Sequence, residues 1–325
     1  MIDLSQLPPP DVVETLDFEA IYQERLAQFR DLYPDFDALL ESDPVVKLLE
    51  LVAYLEVEMR ARINDAARAV MLAKSTGADL DQLAALLDVE RLEITPADED
   101  AGTDAINEDD DSLRARVQLA PEGFAVAGPV GAYRYHALSA SGVVKDVAVD
   151  TPRFARIAIP TAVASYFPES CFVLQATHSA GLPDPMPGDV AITVLSTESD
   201  GTPDLNLLET VGDVLSDDDV RPLTDRVRVL PPAVRHYAIE AELTLYPGPS
   251  ADPVREQARA ATELYAANTH RLGYDVTLSG LYAALHQPGV QRVRLISPTE
   301  DVVCAANEAA WCSAITISTR EVNDV

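Results

Sequence analysis

The groups in this chain that could do chemistry are carboxylates above all. Its 325 residues hold 54 Asp and Glu against 24 Lys and Arg, with five histidines and three cysteines. Paired carboxylates can serve as general acid and base, and His with Cys or Asp can hold a metal or prime a nucleophile. The spacing supports none of these. His136, His178, His236, His270 and His286 stand singly, none with a second metal-type ligand three or four places along a helix. His286, between an apolar helix and Pro288, reads as a structural histidine. His270-Arg271 near a helix end suits the macrodipole. Cys171, Cys304 and Cys312 are odd in number, and the last two are too far apart for a zinc knuckle, so reduced thiols made in a cytosol are expected. Asp217-Asp218-Asp219 could bind a cation, but Arg221, Arg226 and Arg228 follow, and a solvated turn with local charge pairing is the simpler reading.

No phosphate-binding loop, dinucleotide fingerprint, zinc-protease helix, nucleophile elbow or paired CxxC is present. No cofactor or metal is expected. An aromatic share of 6% with a single tryptophan, Trp311, leaves little for a carbohydrate platform or a base-stacking surface. The net charge of −30 argues against nucleic acid and anionic membranes, which need clustered cations. It suits solubility or a basic partner. No signal-peptide pattern and no run of 18 apolar residues is visible, so no membrane span is expected.

The elements that would have to position any site form an α+β, multidomain chain. Residues 1–95 read as a helical module. It begins with an extended arm through Pro8-Pro9-Pro10, followed by a helix from Asp17 to Leu32. A long helix is then opened by Asp43-Pro44 and closed by Gly77. Along it Val45, Leu48, Val52, Leu55, Met59, Ile63, Ala66, Val70 and Ala73 recur at steps of three and four, close to a heptad seam. At 1.5 Å per residue the rod would span roughly 45–50 Å. A narrow apolar seam of that length needs a long partner, either the chain's own first and third helices or helices of other chains. Asp79 and Gln82 suggest a capping box for a short third helix.

Residues 96–111 read as an acidic linker, positions 98 to 111 holding eight acidic residues and no basic one. It lacks the ligand spacing and the glycine of an EF-hand loop. Residues 112–235 form a middle α+β region with helices from Ser112, strands at 143–149, 154–159, 172–176, 190–195 and 226–230, and a helix at 205–215. Segment 151–188 looks like an inserted excursion. Residues 236–325 read as a β-α-α-β-β module, with a half-buried strand at 239–245, a turn at Tyr246-Pro247-Gly248-Pro249, helices capped by Ser250 and Ser279, and strands at 290–296 and 314–318.

The order and spacing of several segments resemble the phage baseplate J-like family. They run from Leu7-Pro8, Asp11-Val12-Val13-Glu14 and Leu16-Asp17-Phe18-Glu19 through Asn64-Asp65-Ala66-Ala67-Arg68-Ala69-Val70-Met71-Leu72-Ala73 to Gly77-x-Asp79-Leu80-Asp81 and Ile94-Thr95-Pro96-Ala97-Asp98. Val126-Ala127-Gly128-x-Val130-Gly131-Ala132-Tyr133-x-Tyr135-His136 and Asp219-Val220-Arg221-Pro222-Leu223-x-Asp225-Arg226-Val227 follow. Leu245-Tyr246-Pro247-Gly248-Pro249, His270-Arg271-Leu272-Gly273, Tyr282-Ala283-Ala284-Leu285-His286 and Gly289-Val290-Gln291-Arg292-Val293 complete the series. Segment 151–188 looks longer than the family's usual middle region.

The resemblance implies a non-enzymatic structural protein of the tail baseplate wedge of a contractile phage or a tailocin, built in the bacterial host cytoplasm. Its implied partners are a second copy of itself, a second wedge protein of the tail protein I type, a lysozyme-like wedge protein that starts the sheath, and the central hub and spike. On that reading Val45, Leu48, Val52, Leu55, Met59 and Ile63 face helices of other wedge chains. The C-terminal module would close a ring, with Tyr282, Leu285, His286 and Val290 as candidate contacts, and the linker would be a hinge that relays the contraction trigger. A tail-tip enzyme such as a cell-wall hydrolase and a receptor-binding fibre-type protein are the alternatives.

Overall fold

The computed structural model describes residues 4, 7–8, 10–37, 40, 42–98, 102–124, 128–160, 163–168, 171–246 and 250–321. Pro9 of the proline run, Val126-Ala127 and the Pro247-Gly248-Pro249 turn lie outside them. Two compact units divide the chain, residues 1–91 with 109–118 and residues 92–108 with 119–325.

In the first unit, α1 (Phe18–Leu32) starts where the Asp17 carboxylate accepts the Glu19 and Ala20 amides at 2.9 and 3.2 Å. The second helix, α2 (Pro44–Ala69), starts on Asp43, which accepts the Val45 amide at 2.8 Å, with Pro44 in the first turn. It packs on α1, burying Val46, Ala53 and Asn64 while α1 buries Ile21 and Leu26. The helix ends at Ala69, eight residues short of the expected stop, so its 26 residues span about 39 Å. A turn follows, with Lys74 and Ser75 both donating to the Met71 carbonyl. Gly77 is not the end of α2; at φ +53° it opens α3 (Gly77–Ala85). Asp79 therefore lies in the first turn of α3 and is not its cap. Leu80 and Ala84 of α3 are buried, as are Leu113 and Val117 from the start of α4 (Asp110–Gly123).

The second unit begins with β1 (Glu93–Thr95) paired antiparallel to β2 (Ile106–Asn107), so the acidic segment is not linker throughout. Asp98 and Thr103 bridge across it with two 3.0 Å backbone bonds, and Asp110 and Asp111 form the first turn of α4. After α5 (Val130–Ser139) comes a three-stranded sheet of order β3-β6-β7, formed by Val144–Asp150, Asp189–Ser196 and Arg226–Leu230. Strand β3 is antiparallel to β6 and β7 is parallel to it, joined through α6 (Leu205–Ser216). All of β6 is buried, the pattern of a central strand covered on both faces. Tyr133, Ala137, Val147, Ile192, Val194, Val211 and Leu215 fill this core. Between β3 and β6 the chain makes a separate two-stranded ribbon, β4 (Arg153–Ile157) with β5 (Val173–His178).

The C-terminal part runs β8 (Ala233–Leu245), α7 (Ala251–Thr269), α8 (Leu278–Leu285), β9 (Val290–Ser297) and β10 (Glu308–Glu321), with sheet order β10-β8-β9. Strand β8 alternates as read from sequence but starts six residues earlier. Its parallel partner β10 has 14 residues, extending well beyond the expected 314–318. Helix α8 is capped by Thr277, whose hydroxyl accepts the Gly280 amide at 3.2 Å, and not by Ser279. Leu195, Ala148, Leu272 and Ala309 form one cluster joining this part to the middle sheet, and the Leu272 amide donates to Asp146 at 3.0 Å.

Candidate subunit interfaces

The seam residues of α2 lie on the helix face turned away from α1. The buried Val46, Ala53 and Asn64 fall within about 20° of one another around the axis, and Leu48, Val52, Leu55 and Met59 cluster on the opposite side, roughly 120–180° from Val46. Leu48 is 60% exposed, Leu55 48%, Met59 67% and Ile63 59%, while Val45 is half-buried. Leu51 and Tyr54, which the step pattern omits, are exposed as well. The result is a stripe of large apolar side chains that no described element of its own unit covers, and stripes of this kind mark association surfaces.

The face of α2 toward the chain's own residues is polar in its second half. Asn64, 4% exposed, clamps the N-terminal arm by accepting the Glu14 amide at 3.0 Å and donating to the Glu14 carbonyl at 2.9 Å. Glu56 receives Arg25 at 2.6 Å and Arg60 at 2.7 Å, and the Arg60 hydrogen bond holds its carboxyl below the usual range. Beyond α2, Arg114 donates to the carbonyls of Leu72 and Ser75 at 2.8 Å each, satisfying groups that a continued helix would have used. Asp110 accepts the Gly77 amide at 3.0 Å and Arg91 at 2.7 Å, which holds its carboxyl low. The position of α2 within its unit thus depends on α3 and on the start of α4.

In the C-terminal module only half of the expected contacts reach the surface. Tyr282 and His286 are exposed. Leu285, fully buried, and Val290, 3% exposed, belong to the core with Leu243, Leu245 and Val254 and are not available to a neighbour. They sit one helical turn and one strand start from the exposed pair, which is why an amphipathic pattern alone groups all four.

His270 is not an exposed, charged helix end but a buried C-cap of α7. Its Nδ1 lies 2.7 Å from the Ala310 carbonyl, its ring is edge-on to Trp311 at 4.9 Å, and burial pushes its pKa down. Among the described residues its Nε2 has no hydrogen-bond partner, and it faces Gly201, which has φ +92° and where a Cβ would meet Leu195 Cδ1 and this Nε2. A cavity of about 870 Å³ is lined by Arg235, residues 297–305 and Glu308. There Arg235 forks onto Glu308 at 2.7 and 2.8 Å, and burial pushes the Cys304 thiol up, so its polar groups are engaged with one another. Among the described residues no three His, Cys, Asp or Glu converge as a metal site, and no helix is long and apolar enough to cross a membrane. The Asp217–Asp219 turn is tied locally, with Arg221 3.8 Å from Asp218.

Three family domains match in order along the chain. The Baseplate J-like N-terminal domain matches residues 41–98, the central domain 125–231 and the C-terminal domain 237–318. The chain belongs to the baseplate J-like family. Baseplate protein J of Escherichia phage P2 is 43% identical over 328 residues, covering 98% of both chains.

Proposed function

We propose that the chain is a structural component of a phage or tailocin tail baseplate, acting as a wedge subunit. The full-length 43% identity to Baseplate protein J, with all three family domains in order, carries this reading. The uncovered stripe of α2 supports the finer part. Leu48, Val52, Leu55, Met59 and Ile63, continued by Val45, would enter a helical bundle with a second copy of the chain and a tail protein I type partner. Burying such side chains contributes about 1.5–3 kcal/mol each relative to leaving them in water. The C-terminal modules would close a ring around the hub through surfaces near Tyr282 and His286, beside the lysozyme-like wedge protein. The segment around 96–111 would act as the hinge that passes the contraction trigger on, by rigid-body motion at interfaces.

The test is co-expression of the chain with the tail protein I type partner of its own gene cluster. Leu48→Glu with Leu55→Glu is expected to leave the chain folded and abolish the wedge complex; an unchanged complex defeats the bundle. Truncating the C-terminal module is a poor test of the ring, because it would strip β8 and expose Leu195 and Ala148. Tyr282→Asp with His286→Asp is the cleaner variant, read as the fraction of closed baseplates in micrographs.

A further inference from the structure

The β4–β5 ribbon lies outside the helix proposed for the bundle and the module proposed for the ring. Its two strands pair with each other and with no other strand among the described residues. A lone two-stranded ribbon is marginal in water and gains stability from a covering surface. It exposes Ile157, Phe172 and Leu174, and the segment between its strands exposes Val163, Phe167 and Tyr166, the last at 83%.

On one face Phe154 lies opposite Ala176 and Arg156 opposite Leu174, with the Arg156 guanidinium 5.4 Å over the Phe172 ring. Among the described residues Arg153 and Arg156 make no ion pair, as is also the case for Arg271, Arg292 and Arg320, whereas Arg134, Arg226, Arg228, Arg235 and Arg294 in the same unit each hold a carboxylate. Residues 153–178 carry these two arginines against one carboxylate, Glu169, so the rest of the chain carries all of its excess negative charge.

We infer that this ribbon is a docking arm that lays its exposed aromatic side chains, with Arg153 and Arg156, on the acidic surface of a second copy of the chain. Copies with a net charge of −30 repel one another wherever acidic surfaces meet. Within residues 153–178 the sign of the charge reverses. Arg is suited to the contact, since its guanidinium is weakly hydrated and can stack on a ring while forking onto a carboxylate. The inference rests on the reading that copies stand side by side in a baseplate.

The experiment replaces Tyr166 by a photoreactive benzoylphenylalanine in the full-length chain. Mixed ¹⁴N and ¹⁵N copies are photolysed both as purified protein and in assembled tail particles, and the adducts are read by mass spectrometry. Mixed-isotope peptides of this chain, joined at position 166 to an acidic surface segment, are expected in the particles. Adducts to another tail protein, or none, overturn the inference. Arg153→Glu with Arg156→Glu is expected to lower the adduct yield at least tenfold with unchanged melting, and an unchanged yield also overturns it. Should that double variant misfold, a bulky maleimide on the exposed Cys171 of a folded Cys312→Ser chain makes the same test, Cys304 being buried and Cys312 only partly so; an unchanged adduct yield again overturns the inference. Failure of the baseplate reading looks different: the unmodified chain would then not enter tail particles at all.

Discussion

Asn64 and His270 are buried polar side chains, 4% and 3% exposed. The Asn64 amide meets both backbone groups of Glu14, so Asn64→Ala removes two hydrogen bonds and leaves their partners short. A loss of about 2 kcal/mol is expected in urea unfolding, together with faster hydrogen exchange at the Glu14 amide. His270 is the second. Gly201→Ala would place a methyl 2.4 Å from Leu195 Cδ1 and 2.8 Å from His270 Nε2, at a φ that L residues rarely adopt. It is expected to destabilise by ~3 kcal/mol or more, measured the same way. Neither residue announces itself in sequence. Asn64 sits mid-helix, where asparagine reads as merely unfavourable, and its partner lies 50 positions away.

At the scale of elements, α2 should be insensitive to change on its exposed stripe. Leu48→Glu with Leu55→Glu is expected to shift stability by about 0.5 kcal/mol or less per site, so lost wedge formation can be read as a lost interface. Most elements were legible because local signals agree. Asp17 and Asp43 cap their helices, β8 alternates, and the apolar period of α6 places Leu207, Val211 and Leu215 in the core. What was not legible is non-local. The apolar steps run on through Val70 and Ala73, yet the helix stops at Ala69, where carbonyls of the following turn are taken by Arg114 about 40 positions later. The length of β10 is likewise set by its register with β8, from Glu308 opposite Ala233 to Glu321 opposite Leu245. Leu285 and Val290 share one amphipathic pattern with Tyr282 and His286, and only packing separates core from surface.

For the molecule as a whole, stability should fall in two steps on acidification. Burial lowers the pKa of His270 and His136, so the unfolded chain binds protons there that the folded chain refuses. Stability therefore rises with pH through the window just below about 6.5 and is lost as pH falls through it. His270→Gln keeps an amide donor for the Ala310 carbonyl and should flatten that slope relative to the parent chain. Thermal melts between pH 5 and 7 check this, and the difference between the two chains cancels the background of the net charge. A second loss is expected below about pH 4, where Asp110, Glu308 and Glu56, all held low by their partners, are forced to protonate.

The threading of the first unit has a mechanical corollary. Residues 109–118 return to it after the chain has left at Arg91, and the ties from Asp110 to Gly77 and Arg91 and from Arg114 to Leu72 and Ser75 are all internal to that unit. Scission of the peptide chain at Gly102 or Thr103 would therefore not liberate the amino-terminal fragment. The severed pieces should migrate together on a sizing column and part only in denaturant.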